Sequence, residues 1–273
     1  MHQTGNGKDR TIIDAHAHIY PNKIAEKATD TIGKFYDIPM QHVGLPEELI
    51  KSGERIGVSK YLVCSTATKP EQVHSINLYI QGECDKYSQF VGFATMHPDM
   101  SHYEEELEYI VSCGLKGIKL HPDFQKFDID SRVAIPMYRA ISKYHLPILF
   151  HTGDNRYDYS APKRLFHVLN EVPDLVCIAA HFGGYQRWGE AHEYLKCDNV
   201  YFDTSSSLFQ LGKEDAVKLI RYFGAEKFMF GSDFPMWDHK EELARFDALP
   251  LTENEREQIL HRSFEKLLLN KNE

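Results

Sequence analysis

Short apolar runs alternate with longer amphipathic stretches along most of the chain. The runs fall at residues 11–14, 60–65, 90–96, 117–121, 147–151, 175–181, 200–203 and 228–233. Several are almost continuously apolar and rich in β-branched residues, as strands covered on both faces must be. Between them apolar residues recur at helical spacing: Leu107, Ile110 and Val111 within 103–113, and Met137, Ile141 and Tyr144 within 134–144. Val217, Leu219, Ile220 and Phe223 repeat the pattern within 214–223. Eight strands alternating with helices predict a parallel barrel or a doubly wound sheet. A (β/α)₈ TIM barrel typically takes about 250 residues, so one barrel uses nearly all of this chain and is the expected fold. After residue 233 the pattern turns helical, over 240–246 and again over 253–269 with Ile259, Leu260, Phe264, Leu267 and Leu268. Thr252 and Glu255 have the spacing of a capping box for that last helix. The expectation is a single domain over 1–273, with a flexible N-terminus at 1–10 and C-terminal helices over 238–273.

Composition narrows the class. The chain has 273 residues, 42% of them hydrophobic and 26% charged, which is enough for a substantial core. A formal charge of −9 and the lack of a Lys/Arg run argue against a nucleic-acid partner. The five cysteines form no C-x-x-C pair, which predicts reduced thiols and a cytoplasmic setting. The first ten residues carry no apolar core of a signal peptide, and no apolar run approaches the roughly 20 residues of a membrane span. There is no H-E-x-x-H, Walker A loop, G-x-S-x-G elbow or usable dinucleotide fingerprint.

The chemistry collects at strand ends. His16 and His18, His121, His151, His181 and Asp233 each close or follow a different predicted strand, and in a (β/α)₈ barrel those ends converge on one face. His16 and His18, two apart on a strand, project to the same side and can chelate one ion, or are two unrelated histidines. His151 ends an apolar strand with no structural need for an imidazole. Asp233 closes another, as a metal ligand or as a helix N-cap. Three imidazoles and a carboxylate suit a divalent ion, zinc first and manganese second, with a position open for water. Such an ion brings the pKa of bound water to roughly 7. His181 can polarise a carbonyl, shuttle a proton, serve as a further ligand, or sit in the core bonded to backbone. Lys119 and His121 are also two apart and face the interior. Lys119 can hold an anionic substrate group, pair with a buried acid, or bridge a second ion. His121 reads as a substrate contact or as a support for the ligands. The loops carrying Asp154, Asn155 and Arg156, Gln186, Arg187 and Trp188, Asp203, Thr204 and Ser205, and Trp237 are expected to line the pocket. Arg156 and Arg187 are candidates for a substrate carboxylate or for surface ion pairs.

The series Asp14-Ala15-His16-Ala17-His18, Gly117-Ile118-Lys119-Leu120-His121-Pro122, His151-Thr152-Gly153, Ala180-His181-Phe182-Gly183-Gly184 and Gly231-Ser232-Asp233-Phe234-Pro235 resembles the amidohydrolase superfamily. The similarity is greatest to the amidohydrolase-related branch that includes the aminocarboxymuconate-semialdehyde decarboxylase-like enzymes. The resemblance implies one divalent ion held by His16, His18, His151 and Asp233, with Asp233 also taking a proton from the attacking water and His181 as the active-site histidine. It implies a small-molecule substrate, hydrolysis of a C–N or C–O bond in an amide, lactone or ester, or alternatively non-oxidative decarboxylation of a small unsaturated or aromatic acid. Barrels of this family often pair as homodimers.

Overall fold

The computed structural model describes residues 10–270. Most of the N-terminus expected at 1–10, and the last three residues, therefore lie outside the described residues. Eight parallel strands run in sequence order around the barrel. They are β1 (Ile12–His18), β2 (Val58–Cys64), β3 (Phe90–Thr95), β4 (Gly117–Leu120), β5 (Ile148–Phe150), β6 (Cys177–Ala179), β7 (Val200–Asp203) and β8 (Phe228–Met229). The helices between and after them are α1 (Asn22–Tyr36), α2 (Pro46–Glu54), α3 (Val73–Lys86), α4 (Tyr103–Ser112), α5 (Pro122–Gln125) and α6 (Ala134–Lys143). They continue with α7 (Pro162–Glu171), α8 (Trp188–Tyr194), α9 (Lys213–Phe223), α10 (His239–Asp247) and α11 (Glu253–Glu257).

Two strands end four residues away from the sequence expectation, and the other boundaries shift by two residues or fewer. Strand β1 continues past residue 14 to His18, so both histidines of the H-x-H pair sit on the strand itself. The last strand stops at Met229 rather than 233, because the chain then turns to close the barrel through separate backbone bonds. Ala15 N–H donates to the Phe230 carbonyl at 2.8 Å, Asp233 N–H to His16 at 2.8 Å, and His18 N–H to Phe234 at 2.7 Å. These bonds seat Asp233 beside the H-x-H pair.

The barrel alternates as a strand with two buried faces should. Ile118 and Leu120 join the layer between strands and helices, while Lys119 between them points into the barrel mouth. Ile13, Ala15, Leu62, Cys64, Phe93, Leu149 and Ile178 form a separate interior cluster, and Phe264, Leu267 and Leu268 complete it. The C-terminal segment therefore plugs the end of the barrel away from the histidines. It starts as α11 under the anticipated capping box, where Thr252 N–H donates to Glu255 at 2.7 Å and Glu255 N–H to Thr252 at 3.3 Å. It then widens into π-helical turns over Gln258–Arg262 and Glu265–Leu269. Among the described residues no helix is long and apolar enough to cross a membrane, and all five cysteines are free thiols.

Candidate active site

His16 and His18 leave β1 on the same side, with their Nε2 atoms 3.2 Å apart. Asp233 Oδ1 lies 3.6 Å from His16 Nε2 and 3.4 Å from His18 Nε2. Bonds of about 2.1 Å from one tetrahedral ion place its ligand atoms about 3.4 Å apart, so these three atoms have the spacing of a divalent-cation site. Two imidazole lone pairs facing each other repel unless a proton or a cation sits between them, which adds to the fit. His16 is oriented from behind: its Nδ1–H donates to Asp203 Oδ2 at 2.9 Å, leaving Nε2 free as a ligand. Asp233 Oδ2 takes the Ser206 hydroxyl at 2.5 Å, and Ser206 in turn accepts the Trp237 indole N–H at 2.9 Å. Asp14 ties the two motifs together by accepting from the His16 N–H at 3.1 Å and the Ser232 N–H at 2.9 Å. Its other oxygen holds the Ser232 hydroxyl at 2.6 Å and His239 Nε2–H at 2.9 Å.

His181 stands beside this group. Its ring stacks on His16 with centroids 5.2 Å apart, its Nδ1–H reaches Ser205 Oγ at 3.0 Å, and its backbone N–H donates to Asp203 Oδ1 at 3.0 Å. Burial holds the imidazole well down, to about 4. His181 and Asp233 both adopt left-handed backbone angles, φ 62 and 57. Non-glycine residues pay about 1–3 kcal/mol for such angles, which cluster where geometry serves a site. His151 does not join the His16–His18–Asp233 trio in this structure. Its Nδ1 is 3.0 Å from His181 Nε2, its ring stacks on His121 at 3.9 Å, and its Nε2 is 3.9 Å from Asp123. Lys119 is fully buried with Nζ 3.1 Å from His16 Nε2, and burial lowers its pKa. Among the described residues it forms no ion pair with a buried acid.

The site is the floor of a cavity of about 520 Å³. Its wall is not the one expected. None of the loop residues named after strands five to seven lines it; Asp203 and Ser205 act from beneath, through His16 and His181. Arg156 and Arg187, candidates for a substrate carboxylate, do not line the cavity either. Arg156 is held by Asp154 at 2.6 Å, donates to the Phe35 carbonyl and lies over the Phe35 ring, while Arg187 pairs with Asp158 and Glu190, each at 2.8 Å. Both guanidinium groups are engaged in ion pairs within the protein. The wall comes instead from α1, from the segment after β2, and from Phe124 in α5. Tyr36, at the end of α1, carries its hydroxyl to 2.8 Å from His121 Nε2 and 3.4 Å from His151 Nε2. Sequence reasoning missed Tyr36, since no motif marks it; the spacing of Ile24, Ala28, Ile32 and Phe35 was the available signal. It also missed Asp123, which is buried and shifted up to about 6 by that burial, with Ser160 bonded to one oxygen at 2.5 Å.

A family model described as amidohydrolase matches residues 13–268. Comparison with curated proteins gives no match. Among solved structures, 5-carboxyvanillate decarboxylase from Sphingomonas paucimobilis is 13% identical with a TM-score of 0.75, covering 94% of this chain and 98% of that one. A dihydroxybenzoic acid decarboxylase from a Polaromonas species, solved with manganese and the inhibitor 2-nitroresorcinol, is 13% identical with a TM-score of 0.73, covering 94% and 96%. A Pseudomonas putida protein described as a candidate 2-pyrone-4,6-dicarboxylic acid hydrolase is 17% identical with a TM-score of 0.68, covering 94% and 97%. At these identities the likeness is one of fold. The matched residues run from β1 to the C-terminal plug and take in each histidine and aspartate of the site, and the chain belongs to the amidohydrolase family.

Proposed function

We propose that this protein is a divalent-metal-dependent decarboxylase of a small aromatic or unsaturated carboxylic acid. The cation is held by His16, His18 and Asp233, with His151 as fourth ligand and His181 as the proton-handling histidine. The observation that carries this reading is the division of the cavity: His16, His18, Lys119, His121, His151, His181 and Asp233 crowd its floor, while Ile24, Ala28, Ile32, Phe35 and Phe124 supply an apolar wall. An acid with a flat apolar body fits that division, its polar end on the histidines and its body on the wall. When bound, the cation supplies positive charge to substrate oxygens, and manganese, present in the Polaromonas enzyme, suits this donor set as well as zinc does. Asp203 holds His16 in its tautomer, and Lys119 adds a cation beside an incoming carboxylate. Solvent water supplies the proton, and Asp233 and His181, both held low by their surroundings, relay it to the substrate. The bond between the ring carbon and the carboxylate breaks, its electron pair stays on the ring carbon, carbon dioxide leaves, and the proton arrives at that carbon.

Hydrolysis by metal-activated water, the first expectation from sequence, is the second reading. It is favoured by the closeness of Asp233 to both His16 and His18, which suits a carboxylate that takes a proton from water. One assay separates the two. Manganese- or zinc-loaded protein is incubated with 2,6-dihydroxybenzoate and 5-carboxyvanillate, and in parallel with lactones and amides, in deuterated water. The expected result is carbon dioxide release with one deuterium on the product ring, lost in His181→Asn. Acid release from a lactone or amide with no carbon dioxide from any acid would contradict it.

A further inference from the structure

Helix α1 presents to the cavity the face that a barrel helix normally gives to the core. Ile24, Lys27, Thr31 and Phe35, spaced three or four apart along three turns, line the cavity together with Tyr36, while only Ala25 and Thr29 of the helix are buried in protein. Tyr36 marks the inner end of this face, at His121 and His151. Lys27 is nine residues back, which is about 13 Å along the helix axis. Its ammonium is exposed and, among the described residues, makes no ion pair.

Lys126, the residue that caps the C-terminus of α5, borders the same cavity. It too is exposed and makes no ion pair among the described residues, and it sits at φ 59, a left-handed position that glycine takes without strain. A lysine there accepts backbone strain and carries a cation at the cavity edge. Among the described residues the acids lining the cavity are Asp123 and Asp233, both buried at its floor, so the exposed part of the lining has two lysines and no carboxylate. Two cations in the lining of the entrance favour an anion there.

We propose that Lys27 and Lys126 form an outer anion subsite, so that the substrate is an elongated acid with negative groups at both ends of an apolar body. One end reaches the histidine floor, the body lies along α1, and the far carboxylate, sulfonate or phosphate rests between the two lysines. This rests on the functional reading above for the inner end only. A single-ring acid with one carboxylate leaves the outer subsite unused.

The test compares biphenyl-4-carboxylate with biphenyl-4,4′-dicarboxylate, two acids with the same body that differ by the far charge. Binding is measured by calorimetry at low salt on manganese-loaded protein and on metal-free protein, with manganese uptake read on the same samples. The dicarboxylate is expected to bind about tenfold tighter, as one new charge-assisted contact gives. The advantage should fall to within about twofold in Lys27→Gln/Lys126→Gly, with monocarboxylate affinity unchanged. Lys126→Gly should keep or raise the melting temperature, because glycine relieves the left-handed position. Equal affinity for the two acids, failure of both to bind, or an advantage that survives the double substitution would overturn the subsite. Protein that takes up no manganese yet still prefers the dicarboxylate would overturn the decarboxylase reading and leave the subsite standing.

Discussion

The residues proposed to carry chemistry could be placed from sequence wherever one strand end fixes them. His16, His18, Lys119, His121, His151, His181 and Asp233 all line one cavity, as strand-end placement in a barrel requires. Residues whose role depends on a neighbour from another strand were not. Asp203 reads in sequence as a loop residue, and only the barrel closure brings its carboxylate to 2.9 Å from His16 Nδ1. Burial pushes that carboxyl up, but His16, His181 and Ser205 outweigh it and hold it near about 2. Arg156 and Arg187 show the converse: a guanidinium near a pocket in sequence is no guide when an aspartate two residues away, or across the next loop, takes it first. If Asp203 fixes the tautomer of His16, Asp203→Asn should weaken divalent-metal affinity by about 10–100-fold, the usual effect of losing such a partner. Metal affinity by competition with a chromophoric chelator measures this, and Asp203→Glu should recover part of the loss. An unchanged affinity in Asp203→Asn would remove the orienting role.

Among the elements, the strands were predicted well because burial on both faces leaves an unmistakable apolar run. Helices that pack on the barrel, such as α4, α6 and α9, were predicted from their apolar stripes for the same reason. Helix α1 was not, although Ile24, Ala28, Ile32 and Phe35 recur at helical spacing, because Lys27 and Thr31 interrupt the apolar face that lines the cavity. The C-terminal segment was read as helix, yet its purpose was invisible in sequence. Phe264, Leu267 and Leu268 close the barrel interior against strand residues about 200–250 positions earlier, such as Ile13 and Leu62. Phe264 is 1% exposed, so Phe264→Ala should cost about 3–5 kcal/mol of unfolding free energy. Leu78→Ala, on an exposed face of α3 at 46% exposure, should stay within about 0.5 kcal/mol. Urea unfolding of the two variants checks the contrast; equal losses would mean that the segment does not plug the barrel.

Taken as a whole molecule, the barrel separates its tasks by end. The plugged end is apolar and supplies stability; the open end gathers strained backbone, buried imidazoles and a cavity roofed by a helix inserted between β1 and β2. Asp233 holds its left-handed angle where barrel closure and the Asp14 bonds to its neighbours fix the backbone, and His181 holds its own where Asp203 takes its backbone N–H. The proposed reaction depends on one property of that end, the binding of a single divalent cation by His16, His18 and Asp233. The direct measurement is metal content by elemental analysis after loading with manganese or zinc and removal of excess, for the unsubstituted protein and for His18→Ala. The account predicts about one ion per chain in the first and a loss of most of it in the second, with the melting temperature raised by metal only in the unsubstituted protein. No retained ion in the unsubstituted protein, or equal retention after His18→Ala, would contradict it.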